Sequence, residues 1–157
     1  MRLKRLIRAK KDVTDQGSWK NTKMPKSAFP LGKQQGFQVR AAFRWRIVKF
    51  DCGSQSFRLL MFYRLDIDKF TAMLGRDDDG DMCVLARYEF HASHGGWHVH
   101  TDCAEQQMSG RTGNLKNCIP DHSRHNRDTV FDVRCDDTAY HRAAKKFGLI
   151  PATFELT

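Results

Sequence analysis

A chain of 157 residues, 40% of them hydrophobic, supports one domain with its own core and gives no reason to expect two. No stretch approaches the roughly 20 apolar residues of a membrane-spanning helix. The five cysteines contain no Cys-x-x-Cys pair, which argues against a zinc ribbon or a disulfide-framed miniprotein. Without a recognisable leader, a cytoplasmic location is the default expectation.

The net charge of +9 is unevenly placed. Residues 1–50 hold fourteen Lys/Arg against two Asp/Glu, whereas residues 51–157 hold thirteen against sixteen. A cationic N-terminal third points to an anionic partner, nucleic acid first, with a protein partner as the alternative. Its contact residues would be Arg2, Lys4, Arg5, Arg8, Lys10 and Lys11, joined by Arg40, Arg44 and Arg46.

In chain order, Leu3, Leu6 and Ile7 recur at helical spacing among basic residues, as in a short amphipathic helix. Asp12 to Gly36 is polar, carries Pro25 and Pro30, and has no clear period. Residues 1–36 therefore read as a basic, partly irregular arm, and residues 37–157 as one folded domain. From Phe37 to Phe50 apolar and basic residues alternate, with Val39, Ala41, Phe43, Trp45 and Ile47 on one face. That is a half-buried strand. Cys52 to Gln55 is a turn, Phe57 to Leu65 a second strand, and Asp66 to Leu74 either short helix or strand. Asp77-Asp78-Asp79-Gly80 is a hairpin turn and lacks the remaining ligand spacing of a calcium loop.

Met82 to His91 and Trp97 to Cys103 are the next two strands. Residues 104–135 are polar with possible short strands. A helix begins at Asp136, where acidic residues suit the positive end of the dipole, and runs to Phe147 before Gly148 and Pro151 stop it. The expected fold class is α+β: an antiparallel meander of four to five strands with one C-terminal helix.

Four of the seven histidines fall within ten residues: His91, His94, His98 and His100. A four-residue loop after Ala92 sets His91 opposite His98 and Glu89 opposite His100. One face then carries Glu89, His91, His98 and His100, the other Tyr88, Phe90, Trp97 and Val99. Three imidazoles and a carboxylate on adjacent strands suit a divalent metal, Zn or Mn. His94, His122 and His125 are further candidates to complete the set. The expected function is a metal-dependent nucleic-acid phosphodiesterase or nuclease. The alternatives are a non-catalytic basic binding module, as in a phage or mobile-element inhibitor, with a structural histidine cluster, and a metal-independent histidine ribonuclease.

His98-Val99-His100 resembles the His-hydrophobe-His motif of the HUH single-strand endonucleases, with Tyr140 and Lys145 following on a predicted helix. The resemblance covers about a third of the chain. It implies that His98 and His100 are metal ligands, Glu89 or His91 the third, and Tyr140 the nucleophile with Lys145 beside it. Tyr140 and Lys145 have four residues between them where the family has three. A JAMM-type metalloprotease likeness stops at Thr112, where that family has a metal-binding Asp. A histidine-triad hydrolase likeness stops at Asp102, where a third alternating His belongs.

Overall fold

The computed structural model describes residues 2–25, 39–78, 81–92, 96–101, 117–120 and 129–150. Seven strands form one sheet in the order of the chain, every pair antiparallel. They are β1 (Asp12–Asp15), β2 (Arg44–Cys52), β3 (Gln55–Arg64), β4 (Lys69–Asp78), β5 (Asp81–His91), β6 (Gly96–Thr101) and β7 (Asn117–Pro120). Two helices, α1 (Leu3–Arg8) and α2 (Asp136–Lys146), complete the described structure. The α+β class and the meander hold, but the sheet has seven strands rather than four to five. The added strands are β1, inside the segment read as an arm, and β7, inside the polar tract. The ambiguous segment after Asp66 is strand from Lys69. The first expected strand begins at Arg44 rather than Phe37, after a turn at Ala41-Ala42.

The sheet is buried on both sides. On the first, Val48, Phe50, Leu59, Met61, Tyr88, Trp97 and Val99 pack with Leu6 of α1 and Ala139 and Ala143 of α2. On the second, Trp45, Leu60, Phe62, Met73 and Val84 pack with Met24 and Val39. Two buried faces explain the unbroken run Leu59-Leu60-Met61-Phe62-Tyr63, which shows no alternation.

The expected division at residue 36 is therefore corrected on its described side. α1 contributes the fully buried Leu6, β1 pairs with β2, and Trp19 meets the Tyr63 ring edge-on at 5.3 Å. A six-residue helix is unstable alone and forms because Leu6 is buried against the sheet. Lys11, expected to meet phosphate, instead donates from Nζ to the carbonyls of Ile7 (3.0 Å), Ala9 (3.0 Å) and Gly148 (3.2 Å). It ties α1 to the end of α2.

Gly148 closes α2 at φ +71°, and a Cβ there would lie 1.9 Å from the Ile7 carbonyl oxygen. Both the dihedral and the close approach require glycine. Gly148→Ala is expected to cost about 2 kcal/mol or more, read as a fall of several degrees in Tm.

Arg44 and Arg46 point to the helix side rather than to an external anion. Arg44 donates from Nε and Nη2 to the two Asp136 carboxylate oxygens at 2.7 and 2.6 Å, and the Tyr63 hydroxyl donates to Oδ1 at 2.6 Å. These hydrogen bonds, Arg44's first, hold the Asp136 carboxyl below its ordinary range against the opposing effect of burial. Burial, reinforced by Asp136, pushes the Tyr63 hydroxyl well up. Arg46 lies 4.4 Å over the Tyr140 ring and donates to the Gln16 carbonyl at 2.9 Å. Arg2, Lys4, Arg5, Arg8, Lys10 and Arg40 are exposed.

Candidate metal centre

The histidine hairpin forms with a register two residues from the expected one. Glu89 lies opposite His98, Arg87 opposite His100, and His91 opposite Gly96. A two-residue shift returns every side chain to its original face, so the expected grouping survives. Trp97 and Val99 face the helices, while His98 and His100 share the second face with Glu89 and His91. Thr71 of β4, buried, lies opposite Glu89.

Three ring nitrogens converge on one carboxylate oxygen. Glu89 Oε1 lies 3.0 Å from His100 Nε2, 3.3 Å from His91 Nε2 and 3.4 Å from His98 Nε2. The ligand atoms of Glu89, His91 and His98 all lie within 4.8 Å of one another, so this group can hold a metal ion. A tetrahedral ion with bonds of about 2.0–2.1 Å has ligand atoms roughly 3.3 Å apart. The separations of Glu89 from His91 and from His98 match that edge. The His91 and His98 rings stack at 5.4 Å, and the His98 and His100 rings meet edge-on at 4.8 Å.

The His98 tautomer follows from its other nitrogen. Nδ1 lies 2.8 Å from the Gly96 carbonyl, which only accepts, so Nδ1 carries the hydrogen and donates it. In the neutral ring Nε2 is then a bare lone pair facing a carboxylate oxygen. Two acceptors attract only through a cation or a proton between them. Fixing the distal nitrogen in this way is how ligating histidines are oriented around metals.

The protonation states suit the same role. Burial lowers the basicity of His91, helped by Lys69 and His98 and opposed by Glu89. Burial likewise lowers His100, helped by Arg87 and His98 and opposed by Glu89. Burial works to raise the Glu89 carboxyl, but Arg87, His91, His100 and His98 together hold it below its ordinary value. At neutral pH the set is an ionised carboxylate with neutral imidazoles at His91 and His100, the forms a metal needs. Glu89 and His98 are only 6% and 3% exposed; His91 and His100 are half-buried and open the group to solvent on one side.

Two cations that the sequence reading passed over flank the group. Arg87 Nε lies 3.3 Å from the other Glu89 oxygen, Oε2. Lys69, on β4, acts electrostatically on His91. Strand alternation marks Arg87: Arg87, Glu89 and His91 share one side of β5. Lys69 carries no such signal, because its proximity depends on the β4–β5 pairing.

Tyr140 and Lys145 are not brought to the histidines. α2 lies on the first face, with Arg142 3.8 Å over Trp97, Lys146 4.9 Å over Tyr88 and Tyr140 against Arg46. The sheet separates that helix from Glu89, His98 and His100. The nucleophile–metal pairing implied by the HUH likeness is therefore corrected: Tyr140 and Lys145 lie on the expected helix, but that helix packs on the face of the sheet opposite the histidines. The exposed cations of α1 also belong to the helix side, since Leu6 anchors that helix there. His94, His122 and His125 lie outside the described residues. Protein-family models, curated proteins and solved structures were all compared with this chain, and none matches it.

Proposed function

We propose that this protein is a metal-dependent phosphodiesterase acting on nucleic acid, with Glu89, His91 and His98 holding a divalent ion, zinc or manganese, and His100 beside them. The supporting observation is the convergence of three imidazole nitrogens on one buried, ionised carboxylate oxygen. An ion held there supplies Lewis acidity toward a phosphoryl oxygen and lowers the pKa of water. Glu89 and His98, buried, fix the ion, while the half-buried His91 and His100 leave an approach to it. Arg87 orients Glu89 through Oε2, and with Lys69 gives the site a cationic rim suited to an anionic phosphodiester. Hydrolysis by water, without a covalent tyrosine, accords with Tyr140 on the far side of the sheet.

The burial of Glu89 and His98 favours one second reading, a structural metal site in a binding module, because closed ligand sets are typical of structural zinc. The test uses protein purified without a histidine tag. Elemental analysis is expected to find about one divalent ion per chain. Short single-stranded DNA and RNA are expected to be cleaved, cleavage to stop in EDTA, and zinc or manganese to restore it. Metal without cleavage selects the binding module. Cleavage that persists in EDTA selects metal-free histidine catalysis.

A further inference from the structure

A second polar cleft lies at the opposite end of the sheet's second face, where the turn after β1 folds over β2 and β3. It has a volume of about 240 Å³, is open on one side, and is lined by Lys20, Lys49, Arg58, Trp45, Asp15 and Gly17. Gly17, at φ +59°, brings the turn down so closely that a Cβ there would lie 2.0 Å from the Ile47 carbonyl oxygen. Lys49 and Arg58 are cross-strand partners, so both occupy the same face of the sheet. Lys20 is fixed by its backbone pairing with Trp45, and its ammonium stands 5.1 Å over the indole.

Two carboxylates lie nearby. Asp15 stands across from Lys49 in the β1–β2 pairing and its Oδ1 accepts the Gly17 backbone N–H at 2.8 Å, so one carboxylate faces three cations in the cleft, while Asp77 pairs with Arg58 Nε at 3.0 Å. Neither Lys20 nor Lys49 makes an ion pair among the described residues. We infer that this cleft binds the sugar-phosphate backbone of a single-stranded nucleic acid, with Lys20 and Lys49 as its phosphate contacts. The volume fits one phosphate with its sugar. Trp45 is 3% exposed and its indole N–H already donates to the Thr22 carbonyl at 2.6 Å, so the cleft offers no stacking platform for a base. Recognition is therefore of the backbone, independent of sequence and of the 2′-hydroxyl.

The inference shares the substrate class proposed for the metal centre but not its chemistry, since a strand can bind here with no metal present. Strand geometry sets Arg58 and Glu89 about 20 Å apart on the same face of the sheet. A strand held in the cleft can extend toward the metal group, whereas α1 cannot serve that path from the other side.

The test is binding of short fluorescent oligo-dT and oligo-U to the full-length protein in EDTA, as a function of salt. Lys20→Glu combined with Lys49→Glu is expected to weaken both probes about tenfold or more, and to reduce the salt slope by about 1.4, the release from two single-strand phosphates. Lys4→Glu with Arg8→Glu on α1 is expected to leave affinity within about twofold. Lys20→Gln with Lys49→Gln, which introduces no new charge, repeats the test should the double glutamate variant fold poorly. An unchanged slope in the cleft variants, or an equal loss in the α1 variant, overturns the inference. Because metal content is measured separately, failure here leaves the metal reading standing, and failure of the metal reading leaves this binding intact.

Discussion

His98→Ala is expected to lower divalent-metal affinity by well over about 100-fold, beyond the loss typical of an outer partner. His98 is the most buried imidazole of the group, and the Gly96 carbonyl aims its Nε2 at Glu89. A buried ring held from behind loses little freedom when it binds an ion, so its removal takes away both a ligand and prior orientation. Arg87→Gln, which leaves the ligands and removes only the partner of Oε2, is expected to cost roughly 10- to 100-fold. His141→Ala on α2 should leave the affinity unchanged. Elemental analysis and calorimetric titration read all three, with circular dichroism confirming that each variant folds. Unchanged metal stoichiometry in His98→Ala would remove the metal centre.

Trp97→Ala is expected to produce the largest loss of stability, about 3–5 kcal/mol, with roughly 1 kcal/mol more from the orphaned Val130 carbonyl. The indole is fully buried, donates to that carbonyl at 2.8 Å, and meets the Phe70, Tyr88 and Phe90 rings with centroids 5.1–5.3 Å away. Arg142 covers it from α2. For a chain of this size Tm should fall by about 10 °C or more. A thermal melt that moves by only a degree or two would mean the aromatic cluster tolerates the cavity, contrary to its packing.

The grouping of Glu89, His91, His98 and His100 was legible because side-chain direction in a strand has a period of two. The register was misjudged by two residues and the face was still correct. α2 was equally legible, since Asp136, Asp137, Lys145, Lys146 and Gly148 mark its ends by charge and dihedral. What escaped depends on contacts distant in sequence. Nothing local in Asp12–Asp15 shows that it pairs with β2 as an exposed strand. Nothing local in Arg44 and Arg46 shows that they serve Asp136 and Tyr140 some ninety residues on. The side of the sheet on which Tyr140 packs is likewise a property of the helix–sheet layer, not of its spacing from His100. Alternation also failed in β2 and β3, where both faces are buried and polarity ceases to report direction.

The consecutive ordering of β1 to β7 has a kinetic consequence. From β2 to β6 each strand finds its partner across a connection of a few residues, so this part of the sheet can zip hairpin by hairpin with small loop-closure entropies. β1 joins β2 across 28 residues, and the most distant event is the meeting of α1 with α2 through Lys11 and Gly148. Refolding followed by a probe at Trp97 should therefore lag behind sheet formation seen in the far ultraviolet, because its environment is completed only when α2 docks.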